Sequence, residues 1–277
     1  MMKVIPLSSG VIFKRAFSRP EVFQEFVKDV LDITIEIDQV HTEYEYPKPV
    51  GFVRSRYDLF AEDPQQRIIV EIQHIKEEDF FDRFLYYHLI SLVEQINDSN
   101  EYHFNRAVYT IIVLTSVLRD GSVNFSCAVS EMNPISEHGE KINLYPHRLV
   151  FLCPRLVNKQ TPPKVRKWLD FIQDSLDGKM EESVYPNESF RRILGDIYTE
   201  NIDPGLLTQL KDEAAWAKAV QRYQAEGREE GRAEGREEGR EEGEKRKALE
   251  TARKMRDKGY SVEEIYELTG VGPTELL

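Results

Sequence analysis

Cysteine is nearly absent: the 277-residue chain has two, Cys127 and Cys153, without CxxC spacing. That excludes a disulfide framework and a cysteine-ligated structural zinc, and leaves two buried thiols as the expectation. No apolar run reaches the ~18 residues that span a bilayer, and "MMKVIPLSSGVIFKRAFSR" lacks the apolar segment and small-residue cleavage site of a secretory signal. A cytoplasmic protein with no membrane partner is expected. A basic excess is missing too: the formal net charge is −12, and residues 1–157 hold more Asp and Glu than Lys and Arg. Binding to DNA is driven largely by neutralising phosphates, so contact with nucleic acid has to rest on a local patch or on bound cations. The chain also lacks GxSxG, a Walker-type loop, GxGxxG after a strand and HExxH, which removes the signatures of several enzyme classes.

What is present begins with length, which exceeds the ~100–200 residues of one domain and points to a core with an appended module. Hydrophobic residues make up 40%, enough for that core. Residues 19–32 repeat apolar positions at helical spacing, with Pro20 suited to a first turn. Residues 33–46 alternate like a half-exposed strand, closed by Pro47 and Pro49. Two further strands, 53–61 and 67–74, flank the turn "EDPQQ". A long helix follows over 79–96 with Asp79 as N-cap, then a central buried strand over 107–116 and strands over 123–130 and 147–153. This order predicts an α/β fold, a mixed central sheet flanked by helices.

After Pro154 the pattern turns helical, over 162–176, 188–198 and 203–224. Residues 226–244 then repeat a four-residue unit with Gly at 227, 231, 235, 239 and 243. Each glycine costs a lone helix ~1 kcal/mol, more than its i,i+3 Glu–Arg pairs return, so the repeat reads as a linker, a marginal helix or a close helix–helix contact. Residues 247–258 form a helix, Gly259 a turn, and Ser261 with Glu264 a capping box for a second helix ended by Gly270. Four parts result: 1–157, a helical extension over 158–225, the repeat over 226–246, and a helical hairpin over 247–277 with helix-turn-helix spacing. The hairpin could read DNA or serve packing alone, and the helical region is a candidate for homo-oligomer formation.

The stretch with chemical content is "RYDLFAEDPQQRIIVEIQH", residues 56–74. Strand alternation puts Glu71 and Gln73 on one face and Ile68, Val70 and Ile72 on the other. A hairpin centred between Pro64 and Gln65 sets Asp58 opposite Glu71. Like charges facing each other destabilise a sheet, especially under cover, whereas a divalent cation reverses the sign of that term. Mg2+ takes one or two carboxylates and leaves positions for phosphate oxygens.

Asp58, a short gap, then Glu71-x-Gln73 on an apolar strand resembles the motif of the PD-(D/E)XK nuclease superfamily. "FKRAF" (13–17), "VEIQ" (70–73), "DRFLYY" (82–87) and the "EGREEGR" tail are similar to its recombination-promoting nuclease branch, also described as transposases. The resemblance covers about residues 10–130. It implies a restriction-endonuclease-like core and a DNA endonuclease dependent on Mg2+ (or Mn2+), tied to recombination or a mobile element. Asp58, Glu71 and the backbone carbonyl of Ile72 are its implied metal ligands. Gln73 stands where the general motif has Lys and offers hydrogen bonds alone. With Asp58 and Glu71, Gln73 completes the expected catalytic set, and Arg83, Tyr86 and Tyr87, which share the next helix, are expected with Lys14 to bind DNA or its phosphates, although Arg83 could instead lay its stem along aromatic rings. Lys14 and Arg15, ahead of the first expected helix, could touch DNA or be solvated. His74 and His88 lack paired spacing and are read as structural. The competing reading is a nuclease-like fold without activity that acts as an interaction protein through its charged helical tail.

Overall fold

Apolar residues alternating between 57 and 152 build one sheet and cover both its faces. The computed structural model describes residues 1–48, 53–74, 80–96, 102–117 and 123–275. In chain order the strands are β1 (Met2–Lys3), β2 (His41–Tyr44), β3 (Tyr57–Glu62), β4 (Gln66–Gln73), β5 (Ala107–Leu114), β6 (Cys127–Glu131), β7 (Arg148–Leu152) and β8 (Lys179–Met180). The helices are α1 (Gly10–Phe17), α2 (Pro20–Leu31), α3 (Phe80–Val93), α4 (Pro163–Ser175), α5 (Glu188–Ile197), α6 (Pro204–Asp257) and α7 (Val262–Thr269). The chain divides into two compact units, Met1–Lys211 and Asp212–Leu277.

In the first unit six strands form a mixed sheet in the order β2-β3-β4-β5-β7-β6, with β4, β5 and β7 parallel to one another. The α/β class and the flanking helices are those the sequence implies. Ile68 and Val70 of β4, Ile111 and Val113 of β5 and Val150 of β7 share a core with α1, α2, α4 and α5, where Phe17, Phe26 and Trp168 meet. The opposite face receives α3: Phe84 packs against Ile112 and Phe151, and Leu92 against Ile69 and Val108. The continuous apolar runs of β4 and β5 are the mark of strands buried on both faces.

Several expectations shift. Of residues 33–46, only His41–Tyr44 is a strand. Ile35 is buried, and the backbone around it is served by side chains: Gln24 Nε2 donates to Ile35 O at 3.0 Å and Gln66 Nε2 to Thr34 O at 2.8 Å. With such partners the segment needs no neighbouring strand. Helix α1 went unforeseen, so Lys14 and Arg15 lie on a helix rather than ahead of the first one. Eight residues hold too few turns for periodicity to stand out. The proposed N-cap Asp79 lies outside the described residues. Cys153 is buried, whereas Cys127 is only half-buried on β6.

In the second unit α6 runs without a break through the repeat that left linker and helix open. A small core of Ala252, Ile265 and Val271 joins the end of α6 to α7, and Ser261 and Glu264 form the expected capping box. A Cβ added at Gly231, Gly235, Gly239 or Gly243 meets no atom within 4 Å. Gly235→Ala and Gly239→Ala are therefore expected to stabilise the helix by ~1 kcal/mol each, read as a later loss of far-UV circular dichroism on heating. An unchanged or earlier melt would contradict this.

Candidate active site

The hairpin β3–β4 pairs Leu59 with Val70, Phe60 with Ile69, Ala61 with Ile68 and Glu62 with Arg67. Asp63 fixes the turn: its Oδ1 accepts from Gln65 N–H at 2.8 Å and Gln66 N–H at 2.7 Å. Continued one step, the register sets Asp58 opposite Glu71. Asp63 N–H donates to Gln66 O, and hydrogen-bonded and open pairs alternate from there, which makes 58/71 an open pair with its side chains close. Here side chains replace the ladder. Asp58 N–H donates to Glu71 Oε1 at 3.1 Å, and Ile72 N–H donates to Asp58 Oδ2 at 3.0 Å. Among the described residues, Asp58 Oδ1 and Glu71 Oε2 take no backbone hydrogen bond.

Glu71 is buried, with 5% of its surface exposed. Burial first, then the Asp58 carboxylate, push its carboxyl well above the usual range. Burial also raises Asp58, opposed by the Ile72 N–H and by Lys14. Two hard oxygens set free from the backbone beside an electrostatic penalty suit a small divalent cation. Among the described residues no group of three or more His, Cys, Asp and Glu comes together as a metal cage. Asp58 and Glu71 are the two carboxylates the hairpin brings together, and one or two carboxylates are what Mg2+, which keeps several waters, ordinarily takes.

The other candidates surround this pair unequally. Gln73 Oε1 accepts a short hydrogen bond from Arg83 Nη2, and Gln73 Nε2 donates to His74 O at 3.2 Å. The Arg83 guanidinium also lies over the Phe84 ring, 4.9 Å from its centre, so a cation–π contact of the charged head accompanies its bond to Gln73. Tyr86 is turned elsewhere: its hydroxyl donates to Val53 O at 2.9 Å. Tyr87 packs edge-on to Tyr57, and its backbone carbonyl accepts from the Tyr57 hydroxyl.

Lys14 reaches the pair from α1, in the helical layer on the other side of the sheet. Its Nζ lies 3.7 Å from Asp58 Oδ1 and bonds Glu43. Sequence reasoning missed Glu43. The β2–β3 register, His41 with Phe60, Thr42 with Leu59 and Tyr44 with Tyr57, sets it beside Asp58. Its signal, a Glu between Thr42 and Tyr44, is ordinary for an edge strand, and no short turn fixes the register between β2 and β3.

His74 and His88 take structural partners. His74 Nδ1 is 3.1 Å from Thr115 Oγ1, and buried His88 Nδ1 is 2.9 Å from Thr110 Oγ1. Burial lowers His88 from 6.5 to about 4, with His147 adding to the effect. Above pH 6.5 the ring is neutral folded or unfolded, and its contribution is complete. As pH falls from there toward about 4, the unfolded chain takes up a proton that the folded one refuses, and up to about 3 kcal/mol is lost. A denaturant midpoint that declines over this window in wild type, and less in His88→Gln, is the expected result; identical slopes would remove His88 as the cause.

A family model described as "PD-(D/E)XK nuclease family transposase" matches residues 10–214. Neither the curated proteins nor the solved structures contain a match.

Proposed function

The chain belongs to the PD-(D/E)XK nuclease family transposases, and from that premise we propose that it is a Mg2+-dependent DNA endonuclease associated with recombination or a mobile element. The observation that carries this reading is the facing, partly buried Asp58–Glu71 pair at the point where the β3–β4 ladder gives way to side-chain hydrogen bonds. Asp58, Glu71 and the Ile72 carbonyl would hold the cation. Once bound, Mg2+ or Mn2+ supplies Lewis acidity toward a phosphate oxygen and lowers the cost of deprotonating water.

The chain's own groups do the rest. Arg83, steadied by Gln73, offers a guanidinium to a non-bridging phosphate oxygen. Tyr87 acts through packing, by fixing α3 against Tyr57, and Tyr86 through its tie to Val53. Contact with DNA does not fall to α7. Helix α7 carries Glu263, Glu264 and Glu267 and no Lys or Arg, which a phosphate-lined groove repels.

Incubation of supercoiled plasmid with the full chain, with and without Mg2+, tests the proposal: nicking that requires the ion supports it, and intact plasmid under both conditions refutes it. Gln at position 73 and the net charge of −12 favour a second reading, an inactive nuclease-like fold that acts through its charged helical tail. Calorimetry separates the two. The second reading requires that Mn2+ produce no binding heat dependent on Asp58. Among the described residues no helix is long and apolar enough to cross a membrane.

A further inference from the structure

Position 73 is where the general PD-(D/E)XK motif places a lysine, and in this chain, as is usual in the branch it resembles, a glutamine stands there: Gln73 spends its amide on Arg83 and on the His74 carbonyl. The motif strand therefore brings no ammonium to the carboxylate pair. Lys14 does. It sits on α1, whose Ile12, Phe13, Ala16 and Phe17 are all fully buried, so the helix that carries it is fixed in place. Its side chain is 19% exposed and lies 3.7 Å from Asp58 Oδ1, the carboxylate oxygen that the backbone leaves unbonded.

Glu43 holds it there. This residue has φ of 52°, in the left-handed region, between strand neighbours that pair normally with β3. A glutamate persists in that region where surrounding contacts over-determine it. Its Oε1 bonds Lys14 Nζ, while its Oε2 faces exposed Arg56 Nη1 at 3.6 Å. The result is a bridge from Glu43 through an ammonium to Asp58, built from three elements far apart in sequence.

We propose that Lys14 supplies the catalytic ammonium missing from position 73, and that Glu43 is its positioning residue. The inference rests on the nuclease reading. Hydrolysis joins the water oxygen to phosphorus and breaks the bond from phosphorus to the leaving sugar oxygen. The electron pair of that bond departs on the sugar oxygen, which ends with one proton of the water while the other remains on the hydroxyl now attached to phosphorus. No further reactant is needed. Lys14 keeps its proton throughout; it orients the attacking water by donating toward it from beside Asp58 and offsets the charge that grows on the phosphate.

The test uses the full chain and supercoiled plasmid. Lys14→Met is expected to slow cleavage at saturating DNA and Mg2+ by about 100-fold or more, the usual effect of one lost donor to developing charge. DNA affinity, measured in Ca2+, should stay within about threefold of wild type, because a group that acts in the transition state changes turnover rather than binding. Mn2+ binding by calorimetry should tighten, since a positive charge beside Asp58 has been removed. Glu43→Gln should show a smaller loss of rate. Gln73→Lys in the Lys14→Met background should restore about 10-fold or more of the rate by returning the ammonium to the motif strand. Lys14→Arg retains the charge and controls for folding.

Wild-type rates in Lys14→Met, a rate loss matched by lost DNA affinity, or unchanged Mn2+ binding would each overturn the proposal. If wild type cleaves and Lys14→Met cleaves equally, this inference alone falls. If wild type fails to cleave, the nuclease reading falls and takes it along.

Discussion

Alanine at Asp58 or at Glu71 is expected to reduce Mg2+-dependent nicking by at least about a thousandfold, the equivalent of ~4 kcal/mol of transition-state stabilisation. Each change removes one of two carboxylates, and among the described residues no group of three or more His, Cys, Asp and Glu comes together that could compensate. The fold should survive both changes. Neither residue belongs to the apolar clusters that join the sheet to its helices, and each sits beyond the last regular backbone pair, Leu59 with Val70. Asp58→Ala also leaves Ile72 N–H without its acceptor, so Asp58→Asn, which keeps a side-chain oxygen, is the cleaner control for local structure. Near-ultraviolet circular dichroism checks packing, and plasmid relaxation checks activity. Nicking that persists in both alanine variants would dismiss this pair as the site.

Glu71→Gln should lose activity yet gain stability in the absence of metal. The folded carboxyl is raised well above 4.5 by burial and by Asp58, so it holds its proton in the folded chain at pH values where the unfolded chain has released it. Below the unfolded pKa, about 4.5, the protonated group contributes fully; as pH rises from there through the folded pKa, that contribution is lost. Glutamine keeps an oxygen for Asp58 N–H and cannot ionise. At mildly alkaline pH the metal-free variant should exceed wild type by at least ~1 kcal/mol, a rise in Tm of about 2–4 °C. Near pH 4.5 the difference should vanish. Saturating Mn2+ should raise the wild-type Tm and leave the variant's unmoved, because a ligand stabilises the state that binds it. A variant that melts no higher than wild type in alkaline, metal-free buffer would show that Glu71 carries no such penalty.

The two carboxylates could be placed opposite each other from sequence because every step between them is local. Asp63 and Pro64 mark a short turn, β4 is a continuous apolar run, and a period of two then leaves one register. The contacts of Lys14 could not be placed. They join α1, β2 and β3 through 29 residues in one case and a helix on the opposite layer in the other, and no spacing rule covers either. Residues 33–40 misled for a related reason: alternation promised a strand, but donors from Gln24 and Gln66 serve the backbone instead. The glycine repeat shows the limit of propensity. Summed costs argue against a helix there, yet α6 continues through all four of the described glycines with open space around each.

The side-chain hydrogen bonds at the end of the β3–β4 ladder carry a mechanical implication. Amides of Asp58 and Ile72 are shielded by the same two acids that would surrender electron density to a cation. Loading and unloading the pocket would therefore tighten or slacken the hairpin's mouth directly, so that local backbone order and occupancy become one variable.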